Sequence, residues 1–308
     1  MAAGPGASGR TAPRRRAAER GSGRGGFVLV SVLGIAALAT ALVASLLLLS
    51  RAGLGDAALR RDDLVIEALL GAGVETAAYQ LFAQQVSAAG LDGQEIRFDA
   101  GRVTLAVTAQ RGLVDLNGAD PALLAAAYAA ARGRSMRPDE FAGLVADWRD
   151  GDDEDHRGGS ERDRYAAAGL AYGPANTRFA RVADLRLLPG LAAEDVVALQ
   201  PFVTVFNPSG RIDLGAAPRA VLEILPGVGP ATVSRLIEMR RRLTEAVAQQ
   251  MLELIGDSAR FAGAGGPAAF EVTVAVTPRA GRPRRAAVML IPGVAEGSLY
   301  HVAEWTDR

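Results

Sequence analysis

Cysteine is absent from the 308-residue chain. That excludes disulfides, thiolate-bound zinc and thiol catalysis. It fits an exported domain that needs no covalent staple, without fixing a compartment. Lysine is absent too, and every basic residue is arginine; genome base composition accounts for such a bias, and no function is read from it. The only histidines, His156 and His301, stand far apart in sequence, so histidine-based catalysis is poorly supplied. Aromatics make up 5% of the chain, which leaves Ala, Leu and Val to build most of the core. The 34 basic and 34 acidic residues cancel, which argues against a broad electrostatic claim on nucleic acid or acidic lipid. The length suits one large or two modest domains.

Charge is missing from one long stretch. Phe27 to Ser50 is a run of 24 uncharged residues. As a helix it spans about 36 Å, more than a hydrocarbon core of about 30 Å. A secretory signal has a shorter apolar region, about 7–15 residues. Arg10, Arg14, Arg15, Arg16, Arg20 and Arg24 precede the run against one acid, Glu19, so the positive-inside rule keeps the N-terminus cytoplasmic and exports the rest. Length therefore argues for a spanning helix, either a plain single-pass anchor with an Arg-rich tail or a segment that is processed and kept.

Beyond it, Arg51 to about Ala89 carries a helical stripe of Leu70, Val74, Ala77, Ala78, Leu81 and Phe82. Gly53, Gly55, Gly71 and Gly73 predict kinks or fraying there. "EIRFDAGRVTLAVTAQRG" then reads as two strands joined at Asp99–Gly101, with Val103, Leu105 and Val107 on one face. Asp120 followed by Pro121 opens a helix, and helical patterns dominate to about Leu254. Strand patterns return in "FEVTVAVTPRAG", "RRAAVMLIPG" and "SLYHVAEW", after a linker at Gly263–Pro267. The early strand pair and the late strands are expected to form one sheet with the helical block inserted.

The block holds an internal echo: "LRLLPGL" at Leu185 returns as "LEILPGV" at Leu222. The second copy lies in "IDLGAAPRAVLEILPGVGPATVSRLIEMRR", which resembles a helix-hairpin-helix unit. Gly227 and Gly229 permit its tight connection, and the helix opening at Pro230 presents N–H groups that hold a phosphate in DNA-binding members, with Arg235 and Arg240–Arg242 adding charge. The competing reading is a structural hairpin that buries Leu222, Leu225, Val228, Val233, Leu236 and Ile237. The sister copy favours the second, because Glu194 and Asp195 stand where a phosphate would lie.

"DWRDGDDEDHRGGSERDRY" places eight carboxylates between Asp147 and Asp163. So many like charges need solvent or a cation to screen them, and calcium prefers six to eight oxygen ligands. Counted from Asp150, Asp152, Glu154 and Glu161 fall at the third, fifth and twelfth positions of an EF-hand loop. The sixth is Asp155 where that loop needs Gly, and no clear exiting helix follows, so an EF-hand is not assigned. A solvated acidic loop and a catalytic carboxylate pair are the other readings of these residues.

Taken with its flanks, this stretch resembles the signature of the type II secretion minor pseudopilin K family. The matching residues are Asp147, Trp148, Asp150 and Asp152, then Gly159, Ser160 and Glu161, a single Tyr165 where the family has a pair, Pro174, Asn176 and Phe179, and the Leu185–Leu191 segment. "GLVDLNGADPALL" is similar to the family's approach to its inserted helical domain. Gly26 directly before Phe27 is similar to a prepilin leader, which a dedicated peptidase cuts after the Gly. Most pilins carry Glu at the fifth mature position; Ser31 stands here, and lack of that Glu is characteristic of the K member at the filament tip.

The resemblance implies an α+β fold, a pilin-like long N-terminal helix packed on an antiparallel sheet with a large inserted helical domain. The implied organisation is a cleaved leader (1–26), the transmembrane part of the helix (27–50), pilin-like helix and first strands (51–111), the helical domain (112–262) and C-terminal strands (263–308). It implies Ca²⁺ held by residues from Asp147, Asp150, Asp152, Asp155, Glu161 and Asp163, with the direct ligands and the number of ions left open. It implies cleavage between Gly26 and Phe27 with N-methylation of Phe27. It further implies partnership with the minor pseudopilins I and J, with H, and with the prepilin peptidase at the inner membrane. The expected role is a structural tip component, not an enzyme, with no nucleic acid bound. The alternative is a membrane-anchored helix-hairpin-helix DNA receptor of competence type.

Overall fold

The computed structural model describes residues 23–154, 161–263, 269–293 and 297–307. Residues 1–22 of the expected leader, Asp155, and residues 264–267 of the expected linker lie outside the described residues. The chain divides between Arg61 and Asp62 into two units.

In the first unit, helix α1 (Gly23–Ala78) begins ahead of the Gly26–Phe27 junction. Its Leu29–Leu47 stretch is long and apolar enough to cross a membrane, and none of it is buried. Thr40 and Ser45 turn their hydroxyls onto the carbonyls of Ala36 and Ala41, at 3.0 and 2.8 Å. Such back-bonding gives each hydroxyl a partner within the helix, as an apolar solvent requires.

In the second unit, α1 lays Ile66, Leu69, Leu70, Val74 and Ala77 against a five-stranded antiparallel sheet. The helix runs through Gly71 and Gly73 without the expected break. A Cβ on Gly73 would lie 2.6 Å from Val274 Cγ1 and 2.9 Å from Val103 Cγ1, so its absence lets the helix seat on the sheet. The α-helix stops at Ala78 rather than near Ala89. A wider π turn covers Tyr79–Ala83, Gln85 turns into the left-handed region at φ 54°, and Ser87 caps the separate short helix α2 (Ala88–Leu91).

The sheet takes β1 (Glu95–Phe98) and β2 (Gly101–Ala109) as a hairpin, with the chain turning at Asp99 and Ala100. The helical block follows. It opens with β3 (Val114–Asp115), α3 (Pro121–Ala130) and α4 (Pro138–Arg149). Next come α5 (Glu161–Ala167), α6 (Ala193–Leu199), β4 (Val203–Thr204) and β5 (Ile212–Asp213). It closes with α7 (Arg219–Leu222), α8 (Pro230–Met239), α9 (Glu245–Leu254) and β6 (Ala262–Gly263). The short strands pair in parallel, β3 with β4 and β5 with β6.

The chain then returns to the sheet as β7 (Phe270–Pro278), β8 (Arg284–Pro292) and β9 (Tyr300–Asp307), in the order β1-β2-β7-β8-β9. Leu105 faces Val274, and Val274 faces Ala286; Val107, Val272 and Val288 make the next row. All six are buried beneath α1, as alternation along each strand dictates. A separate core fills the helical block, with Tyr128, Phe141, Leu144, Tyr165, Leu185 and Leu199 almost fully buried.

Candidate metal centre

The acidic stretch lies between α4 and α5. Pro138 begins α4, and Asp139 and Glu140 in its first turn suit the helix dipole. Phe141, Leu144, Val145 and Trp148 face the core. The last turn buries Asp147 as well, at 2% exposure, and Asp150 ends the helix with its N–H donating to the Ala146 carbonyl at 3.1 Å. A seven-residue helix does follow the loop: Glu161 opens α5, only 1% exposed. The expectation that no exiting helix follows is therefore corrected. The signal is short, because α5 lasts two turns and only Glu161 and Tyr165 face inward.

Asp147, Asp150 and Glu161 converge, each offering an oxygen within 4.8 Å of the others. Both Glu161 carboxylate oxygens are buried and make no hydrogen bond among the described residues. Burial pushes its carboxyl up to about 7, with the charges of Asp147, Asp150, Asp152 and Asp153 adding to the effect. A buried carboxylate without a donor, facing two further acids, is costly unless a cation joins them. The oxygen-only donor set suits a hard divalent ion such as calcium, with the remaining ligands from carbonyls, water or neighbouring acids.

Among the described residues, Asp152 and Asp163 do not join this group. Asp152 is exposed, and its Oδ1 accepts the Glu154 N–H at 3.0 Å. Asp163 is exposed on α5. Asp153 was not singled out from sequence; its Oδ1 accepts the Arg162 N–H at 3.3 Å, which ties the loop to the first turn of α5.

The residues that carry the sequence resemblance hold this loop in place. Asn176 Nδ2 donates to the Asp152 carbonyl at 3.0 Å. Trp148 and Phe179 stack with ring centroids 5.4 Å apart. Asn117 clamps Phe179 on both sides, accepting from its N–H at 2.7 Å and donating to its carbonyl at 3.0 Å. Arg149 reaches back to the carbonyls of Leu116 and Ala119, and Arg164 of α5 pairs with Glu140 of α4 at 2.8 Å. Tyr165 meets Tyr172 edge-on at 5.9 Å, so its aromatic partner comes from seven residues along the chain.

The glycine-rich turn between α7 and α8 packs Leu222, Leu225, Val233 and Leu236 into the core, with Val228 and Ile237 partly buried. Its first helix has only four residues. Arg240 Nη1 donates to the Ala217 carbonyl at 2.8 Å, whereas Arg235, Arg241 and Arg242 are exposed. In the sister copy Glu194 is exposed, but Asp195 is turned inward. It accepts from Tyr128 Oη at 2.6 Å and from the N–H groups of Arg134 and Ser135 at 2.9 and 2.8 Å. Burial raises its pKa, but bonds from Ser135, Tyr128 and Arg134 outweigh that and hold it to about 2. The sequence reading placed Asp195 at a phosphate position; it is a buried pin instead.

Residues 107–208 match the family model of type II secretion system protein K. The resemblance to the K-type minor pseudopilins holds. The matched segment starts inside β2 and runs past β4, so it takes in α3 to α6 and the acid cluster between α4 and α5. Among solved structures, the chain is similar to one in the crystal structure of the GspK-GspI-GspJ complex from the enterotoxigenic Escherichia coli type 2 secretion system. The TM-score is 0.53 at 14% identity, over 81% of this chain and 96% of that one. At that identity the likeness is one of fold: a mixed architecture of helices and antiparallel sheet with an N-terminal helix. No curated protein matches the chain.

Proposed function

We propose that this protein acts as a K-type minor pseudopilin, a structural component at the tip of a periplasmic pseudopilus in type II secretion. The observation that carries the reading is the K-family match falling on the segment that holds Asp147, Asp150 and Glu161. The apolar Leu29–Leu47 helix supplies an inner-membrane anchor with the bulk of the chain periplasmic, and Gly26–Phe27 is the junction for the prepilin peptidase. With Ser31 in place of Glu, the subunit does not offer the acidic partner that would neutralise a neighbour's N-terminal amine within lipid. That suits the end of a filament, where the subunit helps to initiate assembly with the minor pseudopilins I and J, and with H.

In this reading Asp147, Asp150 and Glu161 hold calcium, with Asp152, Asp155 and Asp163 as further candidates from the same stretch. Bound calcium supplies positive charge that lets three close carboxylates stay ionised. This chain's own part is to present them from the end of α4 and the start of α5. The α7–α8 turn serves as a helix-hairpin-helix-like structural hairpin rather than a DNA contact, which the inward bond of Arg240 to Ala217 supports.

The test is mass spectrometry of the N-terminal peptide from membrane-extracted protein, together with co-purification of the I and J subunits. A mature chain starting at N-methylated Phe27 that retains I and J is the expected result. An intact leader with no I or J retained would overturn the proposal.

A further inference from the structure

A cleft of about 410 Å³ opens where the start of α3, the end of α4 and the Ser209–Arg211 turn meet Arg260 and Phe261. Three arginines line it: Arg149, Arg211 and Arg260. None of them forms an ion pair among the described residues. Arg149 donates to the carbonyls of Leu116 and Ala119 at 2.9 and 3.2 Å. Arg211 Nη2 donates to the Ala259 carbonyl at 3.0 Å, and the Arg260 guanidinium lies 4.5 Å above the Phe261 ring. Carbonyl dipoles and a ring face orient a guanidinium without cancelling its charge.

The acid count on the other side is small. Among the described residues Asp120 is the one carboxylate lining the cleft, and its Oδ1 is committed to the Ala122 N–H as the cap of α3. Arg149 is half-buried at the back of the cleft, whereas Arg211 and Arg260 are exposed to an incoming ligand. The floor is backbone: a Cβ on Gly210 would stand 2.1 Å from the Gly118 carbonyl oxygen, and Gly210 sits at φ +65°. The Gly118 and Gly210 backbones therefore pack directly against each other at this edge of the cleft.

We propose that this cleft binds a multivalent oxyanion, with Arg211 and Arg260 as its principal contacts and Arg149 as the fixed cation behind them. Planar guanidinium forks match the oxygen pairs of sulfate, phosphate and carboxylate groups. The anion is either a free inorganic ion or a run of carboxylates on another protein, and competition separates the two sources.

Sulfate is the probe, because it competes for a divalent ion in the acidic stretch far more weakly than the chelator citrate does. Calorimetric titration of sulfate into the detergent-solubilised full chain, in calcium buffer at constant ionic strength, is expected to show one saturable site. Arg211→Gln and Arg260→Gln each weaken it about tenfold or more, the loss of a charge-assisted bond, while Arg235→Gln on α8 leaves it unchanged. If tri-glutamate displaces the sulfate, the source is protein carboxylate; if sulfate binds and tri-glutamate does not compete, the source is a free inorganic anion. The absence of saturable binding to the unmodified chain overturns the proposal, as does binding that both Gln variants retain in full.

Discussion

The second unit holds two cores built on different terms. Beneath α1 the sheet core is aliphatic: Val103, Leu105, Val107, Val272, Val274 and Val288 meet Ile66, Leu70 and Val74. The helical block is just as tightly filled, yet every buried polar or charged residue among those described lies in it or at its edge, from Gln110 to Ser258. Asp115 accepts the N–H groups of Asn117, Gly118 and Asn207, and Asn207 donates to the carbonyls of Arg111, Leu113 and Arg211. Strands satisfy their backbone by pairing with one another. Short helices joined by irregular loops expose unpaired N–H and C=O groups at every end, and burying those ends takes side-chain partners. The sheet region needs no buried polar group to fold; the block cannot close without them.

The sharpest way to break this contrast is Asp195→Ala. It leaves Tyr128 Oη and the Arg134 and Ser135 amides short of an acceptor, and should destabilise the block by about 3–5 kcal/mol. Denaturant unfolding measures it, and a cost below about 1 kcal/mol would end the idea that polar pins hold the block. Leu105→Ala removes only apolar contact from the sheet core and should cost about 2–4 kcal/mol. Hydrogen exchange should then show loosening in β2 and β7, with the Asp195 region unchanged.

Calcium comes next. At a hundred times its Kd it should add about 2.7 kcal/mol, and chelator should remove that gain in a thermal melt. Without the ion, the raised pKa of Glu161 works against the fold as pH rises. Stability from this group is complete below about 4.5, and is lost as pH climbs through about 7 at about 1.4 kcal/mol per unit. Glu161→Gln in chelator should therefore melt higher than the unmodified chain at pH 7.5, and no higher at pH 4. A melt indifferent to calcium at both pH values would detach the acid cluster from any metal role. The smallest effect is expected at Arg240→Gln, which loses one partly buried bond to the Ala217 carbonyl and about 1–2 kcal/mol, with no change in DNA retention on heparin or duplex columns.

The strands were legible because their alternation is regular: Val103, Leu105 and Val107 announce a buried face, and a nine-residue partner strand confirms it in β7. The acid cluster was legible as a group of residue types but not as a geometry. Asp147 and Glu161 are fourteen positions apart, and only the placement of the start of α5 beside the end of α4 brings them together with Asp150. The inward turn of Asp195 was invisible for the same reason, since its partners Tyr128 and Ser135 lie some sixty residues earlier. Two-residue strands such as β3 and β5 carry too little pattern to be read, and the end of α1 was hidden because apolar residues continue past it, with Leu81 and Phe82 of the π turn still packed on the sheet core.

The block leaves the sheet after Ala109 and rejoins it at Phe270, and those two residues are partners in the β2–β7 ladder. Its exit and return are thus as close as the two ends of a hairpin turn. A chain of some hundred and sixty residues occupies a place that two to five residues would fill in a plain hairpin. Insertion at such a joint asks nothing of the strands on either side, so the block can be lengthened, reshaped or exchanged in evolution while the sheet keeps its register. The same joint offers an engineer a socket: a short turn set between Ala109 and Phe270 would leave β2 and β7 as a plain hairpin in the same register.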